Sequence, residues 1–313
     1  MAAEAAPFHA DIAHGPETGA AFWVHADDGV RIRVGIWPKD DASGTVILLP
    51  GRTEYIEKYG IFAAGMAERG FATLAIDWRG QGLAQRMLAD ARIGHVNEFR
   101  DFQRDLRAAL DLAEAHQLPR PWHLLGHSMG GAIGLRAVME GVPVTSCAFS
   151  GPMWDILLAA PMRPLISVLT GVARRIGRDN GLAPTTEAIP YVISAEFEGN
   201  SLTNDPEMYQ MIRDQLGACP DLCLGGPSMR WLSEALRDCK ALAARPSPDM
   251  PCLTFLGSDE SIVSPAAIHD RMGRWPRGRL EIVPTGRHEV LMDAPAMRNG
   301  VMDKMAAHFS AAS

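Results

Sequence analysis

Along most of the chain, apolar runs of strand length alternate with segments whose apolar residues recur at helical spacing. Mainly apolar runs of strand length recur at Thr45–Leu49, Phe71–Ile76, Pro121–Leu125, Val144–Phe149, Pro251–Leu256 and Arg279–Val283, and the first of them is continuously apolar. Such runs are typical of parallel strands that are buried on both faces. Helical patterns follow them; the longest begins near Asn97 and places Phe99, Phe102 and Leu106 on one face. Strands that alternate with helices predict an α/β fold with a mostly parallel central sheet flanked by helices.

Two regions depart from this alternation. Residues 1–20 are rich in Ala, Gly, Pro and His, and we interpret them as an N-terminal arm. An Asp-Gly turn between two alternating stretches then predicts a β-hairpin over residues 21–37. Between residues 152 and 248 the strands stop and prolines accumulate. We interpret residues 152–248 as an inserted helical cap, and residues 21–151 together with 249–313 as the core.

Composition narrows the class of protein. The 313 residues carry 30 Lys and Arg against 37 Asp and Glu, a net charge of −7, so no basic surface for nucleic acid is expected. The five cysteines are scattered, and Cys219 and Cys223 lack a second pair for a zinc site. We therefore expect reduced thiols.

The N-terminus has no signal-peptide pattern, and no apolar run reaches the roughly 18 residues of a membrane span. We expect a cytoplasmic protein without an integral membrane segment, and its oligomeric state stays open.

The strongest chemical signal is the sequence Gly126–Gly130, which matches G-x-S-x-G. It lies between an apolar strand and a helical segment, the context in which this motif presents a nucleophilic serine on a tight turn. Ser128 is therefore the candidate nucleophile. A chance glycine turn is the alternative explanation.

A serine hydroxyl needs a base to become a good nucleophile. In folds that carry G-x-S-x-G between a strand and a helix, the catalytic residues follow one another along the chain as serine, acid and histidine. Asp259 follows the strand Pro251–Leu256 and is the candidate acid, with Glu260 as the fallback. His288 follows the last strand and is the candidate base.

Cleavage of an ester also requires N–H donors for the developing oxyanion. The backbone N–H groups of Met129, directly after the nucleophile, and of Arg52, in the loop after the strand Thr45–Leu49, are the candidates. The residues imply no metal ion and no organic cofactor.

The sequence resembles the α/β-hydrolase superfamily, in particular its monoacylglycerol lipase and lysophospholipase branch. The resemblance is carried by segments Leu49–Glu54, Asp77–Gly82, Gly94–Val96, Gly126–Gly131, Gly257–Glu260 and Gly286–Glu289. Eukaryotic monoacylglycerol lipases begin the oxyanion loop with His-Gly, whereas this chain has Pro50-Gly51. The same branch contains proteins labelled as serine aminopeptidases and simple esterases.

The cap suggests an apolar substrate. An apolar run begins at Met153, and Trp154, Leu158 and Met162 are the candidate pocket residues for an acyl chain. The alternative is that this run forms the cap's own core. Arg52 or Arg163 is a candidate for contact with a head group, with a solvated surface arginine as the alternative.

These residues predict a serine hydrolase that cleaves a carboxylic ester through an acyl-enzyme, with a monoacylglycerol or lysophospholipid as substrate. Hydrolysis of an amide or peptide is the second possibility, although no acidic cluster in the cap offers a site for a free amino group. General carboxylesterase activity is a further alternative. The occurrence of Ser128, Asp259 and His288 in the expected chain order argues against a non-catalytic binding protein.

Overall fold

A single nine-stranded sheet forms the centre of the computed structural model, which describes residues 4–158 and 162–312. Its spatial order is β1-β2-β3-β5-β4-β6-β7-β8-β9. The strands are β1 Glu4–Ala6, β2 Ala20–His25, β3 Arg31–Trp37, β4 Thr45–Leu49, β5 Ala72–Asp77, β6 Trp122–His127, β7 Ser146–Ser150, β8 Cys252–Gly257 and β9 Gly278–Val283. Strands β1, β2, β3 and β5 pair antiparallel, and all pairs from β5 to β9 are parallel.

The parallel strands confirm the predicted α/β class. Every residue of β4, β5, β6, β7 and β8 is buried, as expected for strands covered by helices on both faces. The predicted hairpin is also confirmed: β2 and β3 pair around Gly29, whose φ of +82° suits glycine.

Helices follow the strands as the pattern predicted. The α-helices are α1 Ala10–Ala13, α2 Gly60–Glu68, α3 Phe102–Ala115, α4 Met129–Met139, α5 Met162–Arg175, α6 Tyr191–Ser194, α7 Pro206–Ala218, α8 Met229–Ala243, α9 Pro265–Gly273 and α10 Pro295–Ala312. Short 3₁₀ turns occupy Ile56–Tyr59, Phe99–Asp101 and Pro220–Leu222. The turn before α3 is capped by Glu98 and Asp101, one residue later than the predicted cap at Asn97.

The segment predicted as an N-terminal arm belongs to the fold over residues 4–20. Strand β1 adds to the sheet beside β2, and the guanidinium of buried Arg33 donates a hydrogen bond to the carbonyl of Pro7 at 2.8 Å. Sequence composition missed this because the strand has only three residues, too few to show an alternating pattern.

The insertion after β7 is helical, as expected. Helices α5, α6, α7 and α8 lie in it, and no strand of the sheet comes from residues 152–158 or 162–248. Helix α8 packs on the core, where the rings of Trp231 and Phe99 lie 6.0 Å apart. A backbone bridge pairs Gly94 with Pro227 and ties the cap to the core. The cap meets the core at the carboxyl ends of the parallel strands. Binding sites in such sheets are usually found at this edge.

Candidate active site

Ser128 lies in a sharp turn between β6 and α4. Its φ of 51° and ψ of −118° are rare for a non-glycine residue, and such strain is commonly retained at functional positions. The neighbouring glycines are required by close packing. A Cβ on Gly130 would lie 1.9 Å from the carbonyl oxygen of Leu49, and one on Gly126 would lie 2.7 Å from that of Gly130. The turn therefore matches the predicted nucleophile elbow.

The acid beside His288 is Glu260, not Asp259. His288 Nδ1 lies 2.7 Å from Glu260 Oε2, and both side chains are buried. Asp259 is exposed and accepts a hydrogen bond from the Ser258 hydroxyl at 2.8 Å. The turn after β8 directs one side chain to solvent and the next inwards, so the predicted acid is displaced by one residue.

Glu260 is held as a carboxylate. Burial acts to raise its pKa, but the hydrogen bond and charge of His288 and the N–H groups of Ile262 and Val263 leave the pKa below its ordinary value. Those two N–H groups donate to Glu260 Oε1 at 2.7 and 3.2 Å. Glu260 is thus fixed in orientation and presents one charged oxygen to the imidazole.

Ser128 and His288 line one cavity of about 410 Å³, together with Arg52 and Met129. Met129 is the first residue of α4, so its N–H lies at a helix N-terminus beside the serine. The Ser128 carbonyl accepts hydrogen bonds from Gly131 and Met153, each at 2.8 Å. The roles of Met129 and Arg52 as oxyanion donors stay predictions.

The predicted acyl-chain residues lie elsewhere. Within residues 4–158 and 162–312, the cavity wall includes none of Trp154, Leu158 and Met162. Trp154 is core: its ring stacks on Trp275 at 6.2 Å, and its indole N–H donates to the Gly131 carbonyl at 3.1 Å. Leu158 is half-buried, and Met162 is exposed.

Other apolar side chains form the wall instead. From the same run, Met153 and Ile156 reach the cavity. Further apolar lining comes from Val192, Leu202, Ile212, Leu216, Leu224, Trp231, Leu232, Ile262 and Val263. Apolar periodicity within the cap did not distinguish cap core from cavity wall, because both are buried apolar surfaces.

A buried charge network beside the serine was missed by sequence reasoning. The Lys58 ammonium lies 2.7 Å from Glu54 Oε1 and 2.8 Å from Glu289 Oε2, and the Tyr59 hydroxyl donates to Glu54 at 2.6 Å. Burial would lower the pKa of Lys58, but the charges of Glu289 and Glu54 raise it. Glu54 and Glu289 stand in two of the segments that carried the resemblance, and that was the available signal.

Glu54, His127 and Glu289 place ligand-type atoms within 4.8 Å of one another. The Lys58 ammonium contacts both carboxylates, so the charges of the two acids are already balanced by a cation of the protein. His127 donates from Nδ1 to the Ser150 carbonyl at 2.9 Å, and burial is the main cause of its lowered pKa. Its ring lies 5.0 Å from that of His288.

The nine-stranded sheet and the serine elbow define an α/β-hydrolase. A family profile described as serine aminopeptidase, S33, matches residues 40–295, and the chain therefore belongs to this hydrolase family. Family membership and fold confirm the predicted superfamily.

Curated relatives and a solved structure point the same way. The chain is 28% identical over 300 residues to lysophospholipase L2 of Escherichia coli strain K12, covering 89% of this chain and 86% of the relative. It is 28% identical over 185 residues to the monoacylglycerol lipase of Mycolicibacterium smegmatis, 58% of each chain. A monoglyceride lipase structure from Saccharomyces cerevisiae shares the fold with a TM-score of 0.71 at 20% identity, covering 93% of this chain and 94% of the other.

None of the described helices is both long and apolar enough to cross a bilayer.

Proposed function

We propose that this protein hydrolyses the carboxylic ester of a lysophospholipid or monoacylglycerol through an acyl-enzyme. The observation that carries the proposal is that His288, whose Nδ1 lies 2.7 Å from the buried Glu260, shares a mainly apolar cavity with the strained Ser128. A nucleophile and a base in one cavity, with an acid behind the base to orient it, meet the requirements of acyl transfer.

In the proposed reaction, the Ser128 oxygen attacks the ester carbonyl while His288 Nε2 takes its proton. Glu260 accepts the hydrogen bond from Nδ1–H, which fixes the tautomer and stabilises the imidazolium. The N–H groups of Met129 and Arg52 stabilise the oxyanion. His288 returns the proton to the leaving alcohol, and water then releases the fatty acid by the same steps in reverse roles.

The substrate class follows from the cavity wall and the relatives. Apolar side chains from the cap and the core enclose the serine, and burial of an acyl chain there gains about 0.8 kcal/mol for each CH₂. The names lysophospholipase L2 and monoacylglycerol lipase of the relatives support single-chain lipid esters.

Amide or peptide hydrolysis is the competing function, since the family profile carries an aminopeptidase name. An aminopeptidase needs a free carboxylate for the amino group of its substrate. The two carboxylates of the cavity wall over the described residues, Glu54 and Glu289, are both paired with Lys58, and Glu260, behind His288, is paired with that histidine. This pairing favours the ester.

The test is an activity panel on the purified full chain. Lysophospholipids, monoacylglycerols, p-nitrophenyl esters and aminoacyl amides are assayed with wild type and Ser128→Ala, with and without a metal chelator. We expect chelator-insensitive, Ser128-dependent hydrolysis of long-chain lipid esters above all other substrates. Preference for the amides would overturn the proposal. Failure of a fluorophosphonate to label Ser128 would favour a non-catalytic binding protein.

A further inference from the structure

Arg52 is a cation of the cavity, and none of the described residues pairs it with a carboxylate. Its Nη1 donates to the Gly225 carbonyl at 2.7 Å, and its guanidinium lies 5.7 Å from the Trp231 ring centre. Lys58, by contrast, is paired with two carboxylates. No acidic oxygen of residues 4–158 or 162–312 lies within 4.0 Å of the Arg52 guanidinium nitrogens. Burial lowers the pKa of Arg52 to about 10, so it remains charged at neutral pH.

A partly buried cation without an anion is unfavourable unless a ligand supplies the charge. A guanidinium offers five donors in a planar fork that matches a phosphate, and within the described residues the Arg52 guanidinium donates one hydrogen bond. The unpaired charge therefore indicates that the ligand of this cavity brings its own anion.

We propose that the Arg52 side chain binds the phosphate of a lysophospholipid head group and selects phosphate-bearing esters over neutral monoacylglycerols. This inference rests on the proposed function and deepens it, because it names the substrate class of the same site. The covalent reaction is unchanged: the acyl C–O bond breaks, water supplies the new C–O bond, and the glycerophosphate ester leaves with the proton from His288.

The placement of Arg52 suits this role. Its backbone N–H is the candidate donor for the ester oxyanion, and its side chain extends from there toward Gly225 and Trp231 in the cap. In a lysophospholipid, the glycerol unit separates the ester carbonyl from the phosphate by a span comparable to an extended arginine side chain. One residue can therefore contact the reacting ester through its backbone and the head group through its guanidinium.

The competing explanation is purely structural: Arg52 ties the cap loop to the core through the Gly225 carbonyl. Arg86 supplies a matched control. It also bridges core and cap, donating from Nη2 to the carbonyls of Asp221 at 2.7 Å and Cys223 at 3.3 Å. Arg86 is not part of the cavity wall over the described residues.

The experiment compares kcat/KM for lysophosphatidylglycerol and monoacylglycerol of the same acyl chain, in the same neutral detergent micelles. We expect Arg52→Gln to lower the lysophospholipid-to-monoacylglycerol ratio about 10- to 100-fold, the worth of charged hydrogen bonds. Arg52→Lys should recover part of the ratio, whereas Arg86→Gln should leave it within about 2-fold. Because a ratio is measured, any loss common to both substrates cancels. An unchanged ratio in Arg52→Gln, or an equal change in Arg86→Gln, would overturn the inference.

A binding measurement separates this inference from the proposed function. The ³¹P resonance of sn-glycerol 3-phosphate is recorded with wild type, Arg52→Gln and Arg86→Gln. Broadening is expected with wild type and Arg86→Gln and is expected to vanish with Arg52→Gln. If no ester is hydrolysed, the proposed function fails, and this measurement still decides whether Arg52 binds a phosphate. Equal broadening with all three proteins would exclude a phosphate site at Arg52.

Discussion

The two walls of the cavity are built from different chemistry. The core wall, formed by Glu54, Lys58, Ser128, His288 and Glu289, carries charges that pair with buried partners. The cap wall, formed by Val192, Ile212, Leu216, Leu224 and Leu232, is apolar. Charges held by fixed partners keep their positions through a reaction, whereas an apolar surface discriminates by size alone. We therefore expect the core wall to carry out the reaction and the cap wall to select the substrate, with Arg52 at the junction of the two walls.

The largest effect is expected from the core wall at Ser128. Ser128→Ala removes the proposed nucleophile and should lower kcat by on the order of 10⁶. Turnover of a lysophospholipid measures the loss, and circular dichroism checks that the variant is folded. A folded variant with near-normal turnover would contradict the assignment.

The next effect separates two neighbouring acids. Glu260→Gln keeps the side-chain shape but favours the wrong tautomer of His288, so kcat should fall by about 10⁴. Asp259→Asn is the matched control, and because Asp259 is exposed its kcat should stay within about 2-fold. The reverse order of the two variants would restore Asp259 as the acid.

A third change tests the paired charges by stability. Glu54→Gln leaves the buried Lys58 with one carboxylate, and removal of a buried partner typically costs about 3–5 kcal/mol of unfolding free energy at pH 7. Urea unfolding measures the loss. The control is Glu114→Gln, which removes the exposed pair with Arg120 and should cost less than about 1 kcal/mol. Equal losses would mean that the network contributes no more than a surface pair.

The stability difference between wild type and Glu54→Gln is expected to depend on pH. Burial acts to raise the pKa of Glu54, but Lys58 and His127 outweigh it and lower the pKa from 4.5 to about 2. A lowered carboxyl pKa stabilises the fold fully above the unfolded value of 4.5, and this stabilisation is lost as the pH falls toward 2. The stability difference between wild type and Glu54→Gln should therefore shrink below pH 4.5. A constant difference across that window would mean that Glu54 does not titrate as stated.

The smallest effect is expected from the apolar side of the cavity. Ile156→Trp adds volume to the cavity wall and should shift the preferred p-nitrophenyl ester to shorter chains. Loss of each bound CH₂ corresponds to about 0.8 kcal/mol, a few-fold in kcat/KM. Leu157→Trp is the matched control, since Leu157 is 49% exposed and not in the wall. An unchanged profile for Ile156→Trp would place the acyl chain elsewhere.

Much of the fold was predictable because its signals are local. The buried runs of β4 to β8, the hairpin at Gly29 and the helices between the strands follow from short sequence windows, whereas β9, predicted from a similar run, is half-exposed at the edge of the sheet. Ser128 and His288 were predictable for the same reason, since each stands at the end of a strand pattern. Strand β1 was not predictable, because its three residues, Glu4–Ala6, are too short a window to show the alternation of a strand.

The class of fold, the serine in its elbow and the histidine after the last strand follow from the amino-acid order alone, because backbone geometry and burial at these points are set by neighbouring residues. The acid that reaches His288 follows from the tertiary structure: a one-residue difference in a turn sends Asp259 to solvent and Glu260 inwards. The tertiary structure also decides that Ile156 rather than Trp154 faces the cavity, and that Lys58 has counter-ions while Arg52 has none in the described residues. These outcomes depend on side chains that meet across distant segments, and spacing along the chain does not encode such meetings.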